Sequence, residues 1–148
     1  MSSIKWESGS DSTILTTELD SFAPDQDAIT ADIDNSTNLY IYDDVELYIN
    51  AFDTTPSIGS TVQLYIIRGQ LDGSGFEDGG SGTIPSSNNL VGVFNIRTSD
   101  ANSQLHILRQ IPIPPGHFKY VIVSKVTGAY FDTGSNTLRR KPYRYQVV

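Results

Sequence analysis

The run LYIYDDVELYINAF at residues 39–52, the turn DTTPSIGS at 53–60 and the run TVQLYIIR at 61–68 decide the fold class. In the first run Val45, Leu47 and Ile49 alternate with Glu46, Tyr48 and Asn50. In the second, Val62, Leu64 and Ile66 alternate with Gln63 and Tyr65. A period of two places each set on one face of a strand, and the Pro56/Gly59 turn between the runs predicts an antiparallel hairpin. Residues 39–52 read as the longest strand, or as two strands with a bulge at Asp43-Asp44.

The same signature continues outward from the hairpin. Upstream, Thr13–Leu19 and the 28–33 stretch read as short strands. Downstream, Leu90–Thr98, Leu105–Ile111, Phe118–Val126 and Arg139–Val148 do the same. Phe118–Val126 is almost unbroken apolar sequence and is predicted to lie centrally. In Leu105–Ile111 the alternation predicts that Leu105 and Ile107 point inward and His106 outward. Pro112, Pro114 and Pro115 bar helix and favour an extended edge or crossover. Eight or nine strands without a helical period predict an all-β domain over residues 13–148, an antiparallel β-sandwich or jelly roll. Eight Tyr and six Phe against one Met agree with strands, whose pleated surface suits aromatic side chains.

Two segments stand apart. Residues 1–12 are polar and read as an N-terminal arm without its own fold, carrying Ile4 and Trp6, the only Trp. Residues 69–89 are rich in Gly, Ser and Asp and read as a long exposed loop.

The chain of 148 residues has no Cys, which excludes disulfides, thiol nucleophiles and thiolate metal sites. Met1–Gly9 lacks the apolar core of a signal peptide, and no apolar run is long enough to span a membrane. The net charge of −7 argues against nucleic acid as the main partner. It is divided: residues 1–78 hold fifteen acids and two bases, and residues 79–148 hold two acids and eight bases, −13 against +6. Two arrangements follow from that division. Neighbouring strands pair opposite charges, or opposite-sign patches dock copies of the chain or a larger assembly.

A search for catalytic chemistry finds no constellation. His106 and His117 are isolated and do not supply the ligand count of a zinc site. No nucleophile elbow opens a helix, and Asp72-Gly73-Ser74-Gly75 lies in the loop. The segment Asp72–Asp78 has oxygen-bearing residues at alternating positions but departs from a calcium loop, because Phe76 stands at a ligand position. The chain is therefore read as a non-enzyme that needs no cofactor or metal. Ile4 and Trp6 of the arm, Phe76 of the loop, and the basic cluster Arg139, Arg140 and Lys141 are the candidate partner contacts.

Several segments, among them Asp32–Asn35, Leu39–Tyr48, Val62–Ile66, Leu71–Gly79, Ile111–Lys119 and Gly134–Leu138, together resemble small structural proteins of tailed-phage virions. The resemblance covers about residues 28–145 and lies in turn and strand patterns. It implies a jelly-roll-like sandwich in a virion, made in the host cytoplasm and serving as a capsid decoration (cement) protein or as a tail, neck or fibre component. The partners it implies are other copies of the chain, as a trimer, and the major capsid protein or another virion protein, with neither nucleic acid nor membrane. A second expectation on the same fold is carbohydrate or receptor binding, with Tyr48, Tyr65 and Tyr130 stacking on sugar rings.

Overall fold

The computed structural model describes residues 2–80 and 82–148; Met1 of the arm and Ser81 of the 69–89 segment lie outside them. Ten strands form among the described residues: β1 (Ile4–Ser8), β2 (Ser12–Leu15), β3 (Asp27–Ile29), β4 (Ile33–Asp34), β5 (Tyr42–Ile49), β6 (Thr61–Arg68), β7 (Leu90–Asn95), β8 (Gln104–Pro112), β9 (His117–Lys125) and β10 (Thr137–Val147). They make two antiparallel sheets. Sheet A runs β1-β10-β5-β8 with β2 also on β10, and sheet B runs β3-β9-β6-β7 with β4 also on β9.

The strand count exceeds the expected eight or nine because two strands are broken. β1 and β2 pair with successive stretches of one edge of β10, and β3 and β4 with successive stretches of one edge of β9. With each broken pair taken as one strand, the orders are 1-8-3-6 and 2-7-4-5. That connectivity is a jelly roll.

The alternation of the two runs holds, but they do not pair as the expected hairpin: β5 lies in sheet A and β6 in sheet B, and the 50–60 connection arches from one sheet to the other. Val45, Leu47 and Ile49 of β5 face Val62, Leu64 and Ile66 of β6 across the core, with Phe94, Phe118 and Leu138 filling the space between. The register of β5 on β8 shifts between Asp43 and Val45, but the extra residue lies on β8, at Arg109-Gln110. β5 runs on β10 without a break, so the bulge expected at Asp43-Asp44 belongs to the partner strand. The longest strand is β10 with eleven residues, not the 39–52 run. That run is cut short because Leu39 takes a φ of 51° in a turn. Asn35 ties this turn, donating to the Tyr40 and Pro114 carbonyls and accepting from the Tyr40 amide. Residues 13–19 likewise stop being a strand at Leu15 and finish in a 3-10 turn, Thr17–Leu19.

The expected foldless arm does not hold for residues 4–8. β1 pairs in register from Ile4 with Val147 to Ser8 with Tyr143, because the free edge of β10 offers unpaired backbone groups that the arm satisfies. Polarity alone gives no sign of this, since every position of β1 stays exposed or only partly covered.

One polar network crosses the core. The fully buried Asp43 carboxylate accepts from Arg140 Nε at 2.7 Å and from the second Arg140 nitrogen at 2.8 Å, both within sheet A. It also accepts the Tyr120 hydroxyl of sheet B at 2.6 Å. Arg140 lies 5.7 Å over the Phe118 ring. Burial pushes the Asp43 carboxyl above its ordinary value, against the pull of Arg140, and pushes the Tyr120 hydroxyl well above its own. The network therefore pins the two sheets in register more than it stabilises them, since desolvation offsets much of the attraction. Asp43→Ala, which strands the Arg140 charge in the core, is expected to cost about 3–5 kcal/mol. Tyr120→Phe, which removes one bond to the carboxylate, is expected to cost about 1.5–3 kcal/mol. Urea denaturation of both variants measures the order, and a smaller loss for Asp43→Ala would contradict this account of the pin.

Candidate functional site

The outer faces of the two sheets differ. Apolar residues on β6 and β9 occupy both faces: Tyr65, Ile67, Val121 and Val123 form a second buried cluster on the outside of sheet B, with Ile29 and Phe76 packed against it. The 69–89 segment supplies the cover. It is not the open loop its composition predicts but a strap, with its tip at Leu71 fully exposed. Phe76 sits on the cluster with the Lys119 ammonium 4.3 Å above its ring. Glu77 accepts from the Arg68 amide at 3.0 Å and from Asn89 at 2.9 Å, and Asp27 accepts from the Gly82 amide at 2.9 Å. Gly80, at φ 78°, passes so close that a Cβ there would lie 2.7 Å from Ile29 Cδ1. The calcium-like residues do not converge, because Asp72 caps Ser74 while Glu77 is turned to the strap's base.

No such cover lies over sheet A among the described residues. Outward positions alternate with the core positions, so β5 presents Tyr42, Asp44, Glu46 and Tyr48, and β10 presents Arg139, Lys141, Tyr143, Tyr145 and Val147. Residues directly opposite across strands share a face. The register then gives transverse rows: Tyr42 with Tyr143, Asp44 with Lys141, Glu46 with Arg139, and Tyr48 with Thr137. Beyond Tyr143, β10 is paired only with β1, and the two make a ribbon with Trp6 opposite Tyr145 and Ile4 opposite Val147.

The ribbon carries an aromatic cluster. Trp6 lies 4.1 Å from Tyr145, 5.0 Å from Tyr143 edge-on and 6.4 Å from Tyr42, between ring centroids. Trp6 and Tyr145 each remain 52% exposed, and Ile4 and Val147 beside them 71%. Burial and the Asp44 carboxylate push the Tyr143 hydroxyl up to about 12. The middle of the face is a shallow depression whose walls include Asp11, Glu46, Ile107, Arg109, Arg139 and Lys141. Arg109 bonds Asp44 at 3.2 Å, and Arg139 pairs with Asp11.

The expected contact residues are thus sorted. Ile4, Trp6, Arg139 and Lys141 share the open face of sheet A. Phe76 is held in the strap on the opposite side of the molecule. Arg140 corrects its expectation: its side chain points inward and both donor nitrogens are spent on Asp43, so it is not available to a partner. Tyr65 is likewise buried, and with Tyr48 on the other sheet the tyrosines expected to stack on sugars do not converge.

Tyr42, Tyr143, Tyr145 and Val147 are not among the expected contacts. Their alternation is visible in the sequence, but which face lacks a cover is not. Leu105 and Ile107 also reach this face, exposed at 56% and 40%, where the alternation predicts them inside. The cause is a bulge at Gln110, whose φ is 58°. Ile111 and Ile113 are inward, and the extra residue shifts the inward phase before it to Gln104, His106 and Leu108. Gln104 is buried because its amide closes both polar groups of the Arg97 backbone.

The two histidines sit apart. His117 Nδ1 is 2.7 Å from Asp32, with Asp34 at 3.6 Å from the other ring nitrogen, and these carboxylates raise its pKa. Burial first, and Arg97 second, lower that of His106.

No family model matches the chain, and no curated protein matches it in sequence. Among solved structures, a chain of infectious bursal disease virus, Gx strain, is similar over 98% of this chain and 32% of its own, at 15% identity and a TM-score of 0.42. A chain of the Gt strain is similar over 99% and 31%, at 14% identity and a TM-score of 0.35. A carbohydrate-binding module of the β-sandwich superfamily is similar over 97% and 56%, at 13% identity and a TM-score of 0.30. The chain thus spans about a third of the viral chains and just over half of the module. Likeness this distant does not bear on function, and the architecture stands on the strand order itself.

If the ribbon cluster is a surface and not a second core, Trp6→Ala is expected to cost about 0.5–1.5 kcal/mol, against about 3–5 kcal/mol for Phe118→Ala. Thermal denaturation of the pair decides, and a core-sized loss for Trp6→Ala would contradict the surface reading. In an NMR pH titration His106 is expected to deprotonate first as pH rises, and His117 later. Because its folded pKa is raised, any stabilising contribution of protonated His117 is present below the ordinary histidine value and lost as pH rises through the raised one. Asp32→Asn should bring the His117 titration back toward that value and leave His106 unmoved.

Proposed function

We propose that the chain is a structural protein of a virion, of the capsid-decoration type, attached to the head shell by the aromatic ribbon of sheet A. The carrying observation is the asymmetry of the two outer faces. One is closed by its own strap, while the other leaves Ile4, Trp6, Tyr145 and Val147 contiguous and exposed. Half-exposed Trp and Tyr on a rigid strand pair have the composition of an interface hot spot, because they offer large contact area at small entropic cost. The setting comes from the sequence resemblance to tailed-phage virion proteins, and a jelly roll is an architecture that capsid and lectin domains share. Fold by itself does not assign the role.

The mechanism is clamping by many copies. A weak ribbon contact repeated over a particle gains by multivalency what each copy lacks. The strap and its Lys119–Phe76 contact face away and stay free of the shell.

The test is co-sedimentation of the purified protein with particles stripped of it, followed by electron microscopy of labelled protein. Trp6→Ala and Tyr145→Ala are expected to weaken attachment about 30-fold or more, the size of a hot-spot loss of about 2 kcal/mol. Label on the tail instead of the head would overturn the decoration role in favour of a tail, neck or fibre component. Binding to a host polysaccharide that Trp6→Ala abolishes, with none to particles, would overturn it in favour of carbohydrate recognition.

A further inference from the structure

The centre of the same face, below the ribbon, has a charge pattern that the shell-attachment reading does not use. On β10, Arg139 and Lys141 point outward, and on the adjoining β5 so do Glu46 and Asp44. The register sets Arg139 beside Glu46 and Lys141 beside Asp44, so the β10–β5 seam divides a basic column from an acidic one. The rows at either end continue the symmetry, with Tyr143 beside Tyr42 and Thr137 beside Tyr48. Beyond the columns, Leu105 and Ile107 add exposed apolar surface on β8.

Such a surface is complementary to itself under one operation. A two-fold axis parallel to the strands and lying over the seam places β10 of one copy above β5 of the other. Arg139 then faces Glu46, Lys141 faces Asp44 and Tyr143 faces Tyr42, each contact occurring twice, as an isologous interface requires. About an in-plane axis perpendicular to the strands, basic residues would meet basic residues instead. Glu46 and Lys141 have no ion-pair partner within the chain among the described residues, while their counterparts Arg139 and Asp44 each hold one exposed pair, with Asp11 and Arg109, that the second copy would share. Four strands at about 4.8 Å spacing and about eight residues of length give a face of about 500 Å² per copy. The pair would bury about 1,000 Å², the lower bound for a specific interface.

We infer that the outer face of sheet A pairs two copies of this chain about a two-fold axis over the β10–β5 seam. The dimer brings both Trp6–Tyr145 ribbons to the same end of the pair, on opposite sides of the axis. This arrangement is two-fold where the sequence resemblance implied a trimer. The pairing does not rest on the shell-attachment reading. The pairing is read on the isolated protein, so either can fail without the other.

The experiment is sedimentation equilibrium or light scattering across a concentration series at low salt. Wild type is expected to reach twice the chain mass, with association weakening as salt rises. Glu46→Lys, at a half-buried position on the outer face, and Arg139→Glu, at an exposed one, are each expected to weaken association at least tenfold with unchanged circular dichroism and melting. Mixed in equal amounts, the two variants are expected to associate again. In that mixed pair the two substituted positions meet each other with their charges exchanged, and the second contact is native. A wild type that stays monomeric, a three-fold mass, unaltered association of the single variants, or a mixture that fails to associate would each overturn the proposal.

Discussion

The bond from the Tyr120 hydroxyl of sheet B to the Asp43 carboxylate of sheet A, with Arg140 clamped on the same carboxylate, sets the geometry on which the rest depends. A sandwich of apolar faces tolerates sliding, because dispersion and hydrophobic burial have little direction. A carboxylate that must keep three donors in a dry interior tolerates very little. It fixes where β9 crosses β5 and β10. It also explains why Arg140, the middle of three consecutive basic residues, turns inward and leaves Arg139 and Lys141 outside as a column.

The division of charge along the chain belongs to the same logic. Most ion pairs join an acid from the first half to a base from the second: Asp11 with Arg139, Asp25 with Lys125, Asp32 with His117, Asp43 with Arg140, Asp44 with Arg109 and Glu7 with Arg144. A jelly roll folds the chain back so that its first strands lie beside its last, and opposite charge at the two ends favours that pairing over like with like. Exposed pairs of this kind contribute little stability each. Their effect is on which strands meet.

The strand pattern and the central place of Phe118–Val126 are legible in alternation and turn residues, whereas the 53–60 turn, read as a hairpin, carries the chain from one sheet to the other, and the bulge read at Asp43-Asp44 lies on the strand beside it. What is not legible has physical causes. A single bulged residue at Gln110 reverses the faces of Leu105 and Ile107, and nothing at that position announces a left-handed backbone. The 69–89 segment has the composition of an open loop, yet Val121 and Val123 beside Tyr65 and Ile67 demand a cover, a signal present in two strands and absent from the segment itself. Trp6 stands out as the lone Trp in a polar stretch. Its aromatic neighbours come from β5 and β10, and only the pairing of β1 with β10 brings them together.

The molecule has a closed side and an open side. Hydrogen–deuterium exchange of the protein bound to purified particles tests that division most directly. The predicted result is new protection along β1 and the 143–147 end of β10, with the strap and β6 unchanged. Protection confined to the strap, with the ribbon unaltered, would contradict it.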